Sequence, residues 1–140
     1  MSDKYFLDTN ILVYSFDDLQ PEKKEISLAL IANAMRTGIG LISWQVVQEF
    51  LNVSTPKFKT PLLSGDAKIY LEQILEPLCK VYPDLGIYSS ALDISSQTGY
   101  SFYDALKLAG ARQGGCQILY SEDLQAGQQV GGVKIVNPFK

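Results

Sequence analysis

Four short apolar runs punctuate this chain: KYFL (4–7), IGLI (39–42), CQILY (116–120) and VKIV (133–136), with a weaker fifth near Cys79–Tyr82. Runs of that length suit buried strands and are too short for core helices. The segments between them carry helical starts and stops. Strands that alternate with helices pair in parallel, because each parallel pair needs a crossover connection. The expected fold class is therefore α/β: one domain over 1–140, with a mainly parallel central sheet of about four to five strands flanked by helices on both faces.

The punctuation between the runs is specific. NILVYSF reads as a short helix that stops at the turn-like DDLQP. Pro21 suits the first position of a helix reaching about Arg36, with Gly38 as its stop. Ser43 reads as the N-cap of a helix to about Val53. Residues 54–66 read as a loop, and Ser64 or Asp66 opens a helix to about Leu75. A further helix covers about Ile87–Gln97 and ends at Gly99. Ser101 caps the next, which ends before Gly114 and Gly115.

Composition removes whole classes of chemistry. Histidine is absent from the 140 residues, which excludes Ser-His-Asp and Cys-His nucleophiles, histidine acid–base catalysis and His-ligated zinc. Cys79 and Cys116 form no zinc spacing and read as buried thiols of a reducing cytoplasm. No apolar run reaches the ~20 residues of a membrane span, and MSDKYFLDTN lacks the layout of a secretory signal. The net charge of −3 argues against unaided tight binding to nucleic acid, although a bound cation reverses a local field.

Carboxylates, hydroxyls and lysines remain. Parallel sheets place their sites at the carboxyl ends of the strands. Asp8 follows the first run directly, and Glu122 and Asp123 follow CQILY after one serine. Glu49 and Asp104 fall on the shoulders of apolar helix faces that begin near the same edge. Each has an ordinary role too: Asp8 as a helix cap, Ser101 and Asp104 as a capping box, Glu49 as a solvated helix residue, Asp123 as a loop residue. Two carboxylates about 5 Å apart repel by about 3 kcal/mol at an effective dielectric of 20. If the four acids meet, a cation must neutralise them, and oxygen-only ligands favour Mg²⁺ or Mn²⁺. That pairing suits hydrolysis of a phosphodiester by metal-activated water.

The order of FLDTNILVYSF (6–16), SWQVVQEFLNV (43–53), SFYDALKLAGA (101–111), ILYSEDLQAGQ (118–128) and VKIVNPF (133–139) resembles the PIN-domain nucleases, most closely the VapC-type toxin ribonucleases. The resemblance implies catalytic, metal-holding roles for Asp8, Glu49, Asp104 and Asp123. It implies supporting roles for Asn10 and for Ser121, where many members have threonine. It further implies an Mg²⁺- or Mn²⁺-dependent endoribonuclease with an RNA substrate, a cognate small antitoxin and a homodimer. Glu122 is an extra acid beside Asp123. Lys57 and Lys59, with Phe58 between them, and Lys107 and Arg112 are candidate contacts to the RNA backbone. A solvated loop is the ordinary role of Lys57 and Lys59, and a helix-end charge effect explains Arg112 equally well.

Other readings differ at particular residues. A signalling receiver domain usually has adjacent acids after the first strand, where this chain has LDTN. A haloacid-dehalogenase-type phosphatase wants Asp-x-Asp, which Asn10 breaks. A PIN-like interaction module without catalysis is the third alternative.

Overall fold

A computed structural model describes residues 3–54 and 62–140, so Lys57 and Lys59 lie outside the described residues. In chain order the elements are β1 (Tyr5–Leu7), α1 (Thr9–Tyr14), α2 (Pro21–Thr37), β2 (Gly40–Ser43), α3 (Trp44–Ser54), α4 (Ser64–Tyr70), a π-helical segment (Leu71–Leu75), α5 (Glu76–Leu78), β3 (Cys79–Val81), α6 (Leu85–Thr98), α7 (Phe102–Gln113), β4 (Ile118–Tyr120), β5 (Gln129–Val130) and β6 (Val133–Val136). The strands form one six-stranded sheet in the order β3-β2-β1-β4-β6-β5. Every pairing is parallel except β5–β6.

β1 sits in the middle, between β2 and β4, and all three of its side chains are buried. Successive residues of a strand point to opposite faces. The Tyr5 hydroxyl donates to Leu30 O and to Asn33 Oδ1 on α2. The Phe6 ring instead faces Gly110 on α7. Helices therefore cover both faces of the sheet. Gly40 permits the α2 side of this packing, since a Cβ there would stand 2.5 Å from both Ala34 Cβ and the Tyr5 ring.

The expected helix boundaries hold where local chemistry sets them. Pro21 begins α2, and Gly38 ends it with φ 74°. Gly99 ends α6 with φ 82°. Ser101 Oγ accepts the Asp104 N–H at 3.2 Å and caps α7.

Four details differ from expectation. The sixth strand, β5, was unforeseen because two residues carry too little pattern. A signal existed in Gly131-Gly132, whose φ values of 56° and 86° turn the chain between β5 and β6, the geometry of a two-residue hairpin. α6 starts two residues early because the Asp84 side chain accepts the Ile87 N–H at 2.7 Å. The helix after Ser64 continues past Leu75 to Leu78 through the π-helical segment. Pro77 has no N–H to return to the preceding turn, and the wider winding accommodates it. Ser43 directly precedes α3, but its buried hydroxyl finds no partner, so the cap hydrogen bond expected of it is not made.

Candidate active site at the carboxyl edge of the sheet

Strand register brings the first pair of functional side chains together. Leu7 on β1 lies opposite Tyr120 on β4, so Asp8 and Ser121 leave the sheet side by side. The Asp8 N–H donates to Tyr120 O at 3.0 Å. The Ser121 hydroxyl donates to Asp8 Oδ2 at 2.7 Å, and both residues are fully buried. Ser121 Oγ also accepts the N–H groups of Asp123 and Leu124, at 3.2 and 3.4 Å. One hydroxyl thus fixes the Asp8 carboxylate and folds the turn that carries Asp123. The other oxygen, Asp8 Oδ1, accepts the Thr9 N–H at 2.7 Å. Asp8 therefore does cap α1.

Glu49 arrives on α3. Its neighbour Phe50 is fully buried against Phe16 and Tyr70, with ring centroids 5.8 and 5.0 Å apart. Burial pushes the Tyr70 hydroxyl up to about 12, with Ser15 pulling weakly the other way. With that face anchored, Glu49 stays half-buried and accepts the Thr9 hydroxyl at 2.5 Å. Thr9 went unrecognised in the sequence, where it reads only as a first helical residue. Gln45 Nε2 donates to Tyr103 O at 3.0 Å and ties α3 to α7.

Beside them lies a cleft of about 440 Å³, lined by Thr9, Asn10, Val13, Tyr14, Glu49, Asn52, Val53, Lys107, Glu122 and Asp123, with Asp8 buried behind this lining. Both polar atoms of the Asn10 amide are buried there without a partner. Asp123 is exposed on the rim. Asp104 is half-buried on α7, one turn before Lys107, and does not line the cleft. Among the described residues, no group of three or more acids is close enough to hold a metal ion by itself.

Lys107 occupies the space between two of the acids. Its ammonium lies 3.1 Å from Asp8 Oδ1 and 3.5 Å from Glu49 Oε1. Burial alone would make the ammonium easier to deprotonate. The attraction of Asp8, Glu49 and Asp104 outweighs it and raises the pKa above the ordinary lysine value. Lys107, a candidate phosphate contact from the sequence, is an internal ion-pair partner of Asp8 and Glu49. Arg112 is exposed and packs beside the Gly131 turn, at the amino-terminal edge of β6 and away from the cleft. α7 runs antiparallel to the strands, so two turns past Asp104 carry the chain to the opposite edge.

Glu122 belongs to a separate cluster. It pairs with Lys23 Nζ and accepts the Tyr14 hydroxyl. Burial pushes its carboxyl up, but the Lys23 and Tyr14 donors prevail and hold it below the usual range. The Lys23 ammonium also lies 4.7 Å above the Tyr14 ring. With Glu122 matched by Lys23, the ammonium of Lys107 stands against Asp8 and Glu49, and Asp104 adds to the attraction. The donors are oxygens, the cleft is concave, and the orphaned amide is buried at its lining. This set fits a hard divalent cation with retained waters.

Burial pushes the Cys116 thiol up to about 12, and Cys79 is raised for the same reason. Both thiols are buried and free. No helix among the described residues is long and apolar enough to cross a membrane.

Comparison with known proteins agrees with this fold. No curated protein matches the sequence significantly. The fold is similar to the crystal structure of Mycobacterium tuberculosis VapC20, a sarcin-ricin loop cleaving toxin. There the TM-score is 0.61 at 17% identity, over 86% of this chain and 90% of that one. It is also similar to a chain in the structure of FitAB bound to an IR36 DNA fragment. In that case the TM-score is 0.59 at 21% identity, over 97% and 96%. The PIN domain model matches residues 5–128, a span that runs from β1 through the turn bearing Asp123, and the chain belongs to the PIN-domain family.

Proposed function

We propose that this chain is a divalent-metal-dependent endoribonuclease and the toxin of a toxin–antitoxin pair. The observation that carries the reading is the Ser121-linked junction of Asp8 and Asp123 at the carboxyl edge, beside Glu49 in a cleft of net negative charge. PIN-family membership supports it, as does likeness in fold to VapC20, itself a sarcin-ricin loop cleaving toxin.

Asp8, Glu49, Asp104 and Asp123 would hold Mg²⁺ or Mn²⁺. A divalent ion so bound supplies Lewis-acid stabilisation of charge on the phosphate and lowers the pKa of a water. The chain's own part is positional. Ser121 and the Thr9 N–H fix both oxygens of Asp8, so its lone pairs are preoriented. The Thr9 hydroxyl fixes Glu49. The unpartnered Asn10 amide offers a donor and an acceptor to a water or to substrate. A small antitoxin and a second copy of the chain are the partners this reading expects, in a cytoplasmic setting.

The ion pairing of Lys107 with Asp8 and Glu49 favours a second reading, a PIN fold that binds without cutting. Incubation with total RNA and Mg²⁺ or Mn²⁺, against an EDTA control, separates the two. Asp123→Asn and Asp104→Asn are cleaner variants than Asp8→Asn, which leaves a buried lysine short of a partner. Loss of cleavage by at least about 100-fold in both, with unchanged melting, supports the nuclease. Full activity in EDTA or in both variants removes it.

A further inference from the structure

A buried lysine is uncommon and costly unless its charge is matched. Lys107 is 8% exposed and is the one charged residue in the buried stretch Ala105–Ala111 of α7. Its neighbours there are alanine, leucine and glycine, so packing alone places no demand for an ammonium. The demand comes from across the cleft floor, where Asp8 and Glu49 present oxygens at 3.1 and 3.5 Å.

Those are two of the carboxylates assigned above to the metal. We infer that Lys107 is an internal counter-cation that competes with the divalent ion for Asp8 and Glu49. It holds the two acids together when metal is scarce and lowers the affinity of the site when metal is offered. This inference rests on the metal-dependent reading of the cleft.

The argument is one of charge. An ammonium that stands against Asp8 and Glu49 repels any second cation drawn to the same oxygens. At about 5 Å, even with a dielectric as high as that of water, a unit charge weakens the binding of a divalent ion by roughly tenfold. Glu122 does not offset this, because Lys23 already neutralises it. A purely structural ion pair predicts something else. Removing Lys107 would then disorder Asp8, and metal affinity would fall together with stability. Competition requires the two to move in opposite directions.

The test compares the parent with Lys107→Met, which keeps the length and loses the charge, and Lys107→Gln, which retains an N–H donor. Mn²⁺ affinity is measured by the electron paramagnetic resonance of free Mn²⁺ at one fixed pH. Melting is followed in EDTA and in saturating Mn²⁺. Both variants should bind Mn²⁺ at least about tenfold more tightly, melt lower in EDTA, and gain more from Mn²⁺ than the parent does. Adding Asp123→Asn to each background should weaken the binding, which ties the ion to this cleft. If Lys107→Met does not fold in EDTA, Lys107→Gln carries the affinity comparison. Binding by the variants equal to or weaker than the parent overturns the competition and leaves the metal reading standing. Absence of Mn²⁺ binding in parent and variants overturns both.

Discussion

Ser121→Ala removes one oxygen from a position with no solvent exposure. Three interactions go with it. The 2.7 Å bond to Asp8 Oδ2 is charge-assisted and buried, a class whose loss costs about 1.5–3 kcal/mol. The contacts from the Asp123 and Leu124 N–H groups, at 3.2 and 3.4 Å, are long and add only a few tenths each. A net loss of about 2–3 kcal/mol follows, or roughly 7–10 °C in melting temperature for a chain of this size. Thermal and urea unfolding followed by circular dichroism measure it. If the site works as argued, nuclease activity should fall further than stability at a temperature where both proteins are folded, because Asp8 and the Asp123 turn lose their common anchor. A Ser121→Ala protein that melts within about 2 °C of the parent and cleaves equally well would refute the claim that this hydroxyl organises the cleft.

Gly40→Ala forces a Cβ to within 2.5 Å of Ala34 and the Tyr5 ring; separation of α2 from the sheet should cost at least about 2 kcal/mol, read from urea unfolding. Glu122→Gln tests the Lys23 pair. Since the Glu122 carboxyl is held below its ordinary value, its contribution is present above the unfolded pKa and is lost as pH falls through the folded one. The melting difference between parent and variant should thus be constant from pH 7 to 5 and shrink toward pH 3. Cys116, pushed up to about 12, should react with a thiol reagent at pH 8 at least about 1,000-fold more slowly in the native protein than in the unfolded chain.

Local chemistry made much of this molecule readable in advance. Pro21, Gly38, Gly99 and Ser101 mark helix ends through their own backbones and side chains, so neighbours in sequence suffice to place them. Asp8, Glu122 and Asp123 could be assigned to one edge because parallel strands share a direction. Partners across elements were not readable. Nothing near Lys107 in sequence announces Asp8 or Glu49, and Glu122 finds Lys23 at a separation of 99 residues. Helical period also hides length: Arg112 shares a helix with Asp104, yet that helix carries it to the far edge of the sheet. β5 escaped because two residues show no alternation, although its glycine turn was visible.

The bond between Ser121 and Asp8 joins residues 113 positions apart. A ribosome delivers Asp8 early and Ser121 late. Until β4 has emerged, the central strand lacks one of its two flanking neighbours, and the first acid has nothing to lean on. Whatever chemistry this cleft performs, no partial translation product performs it.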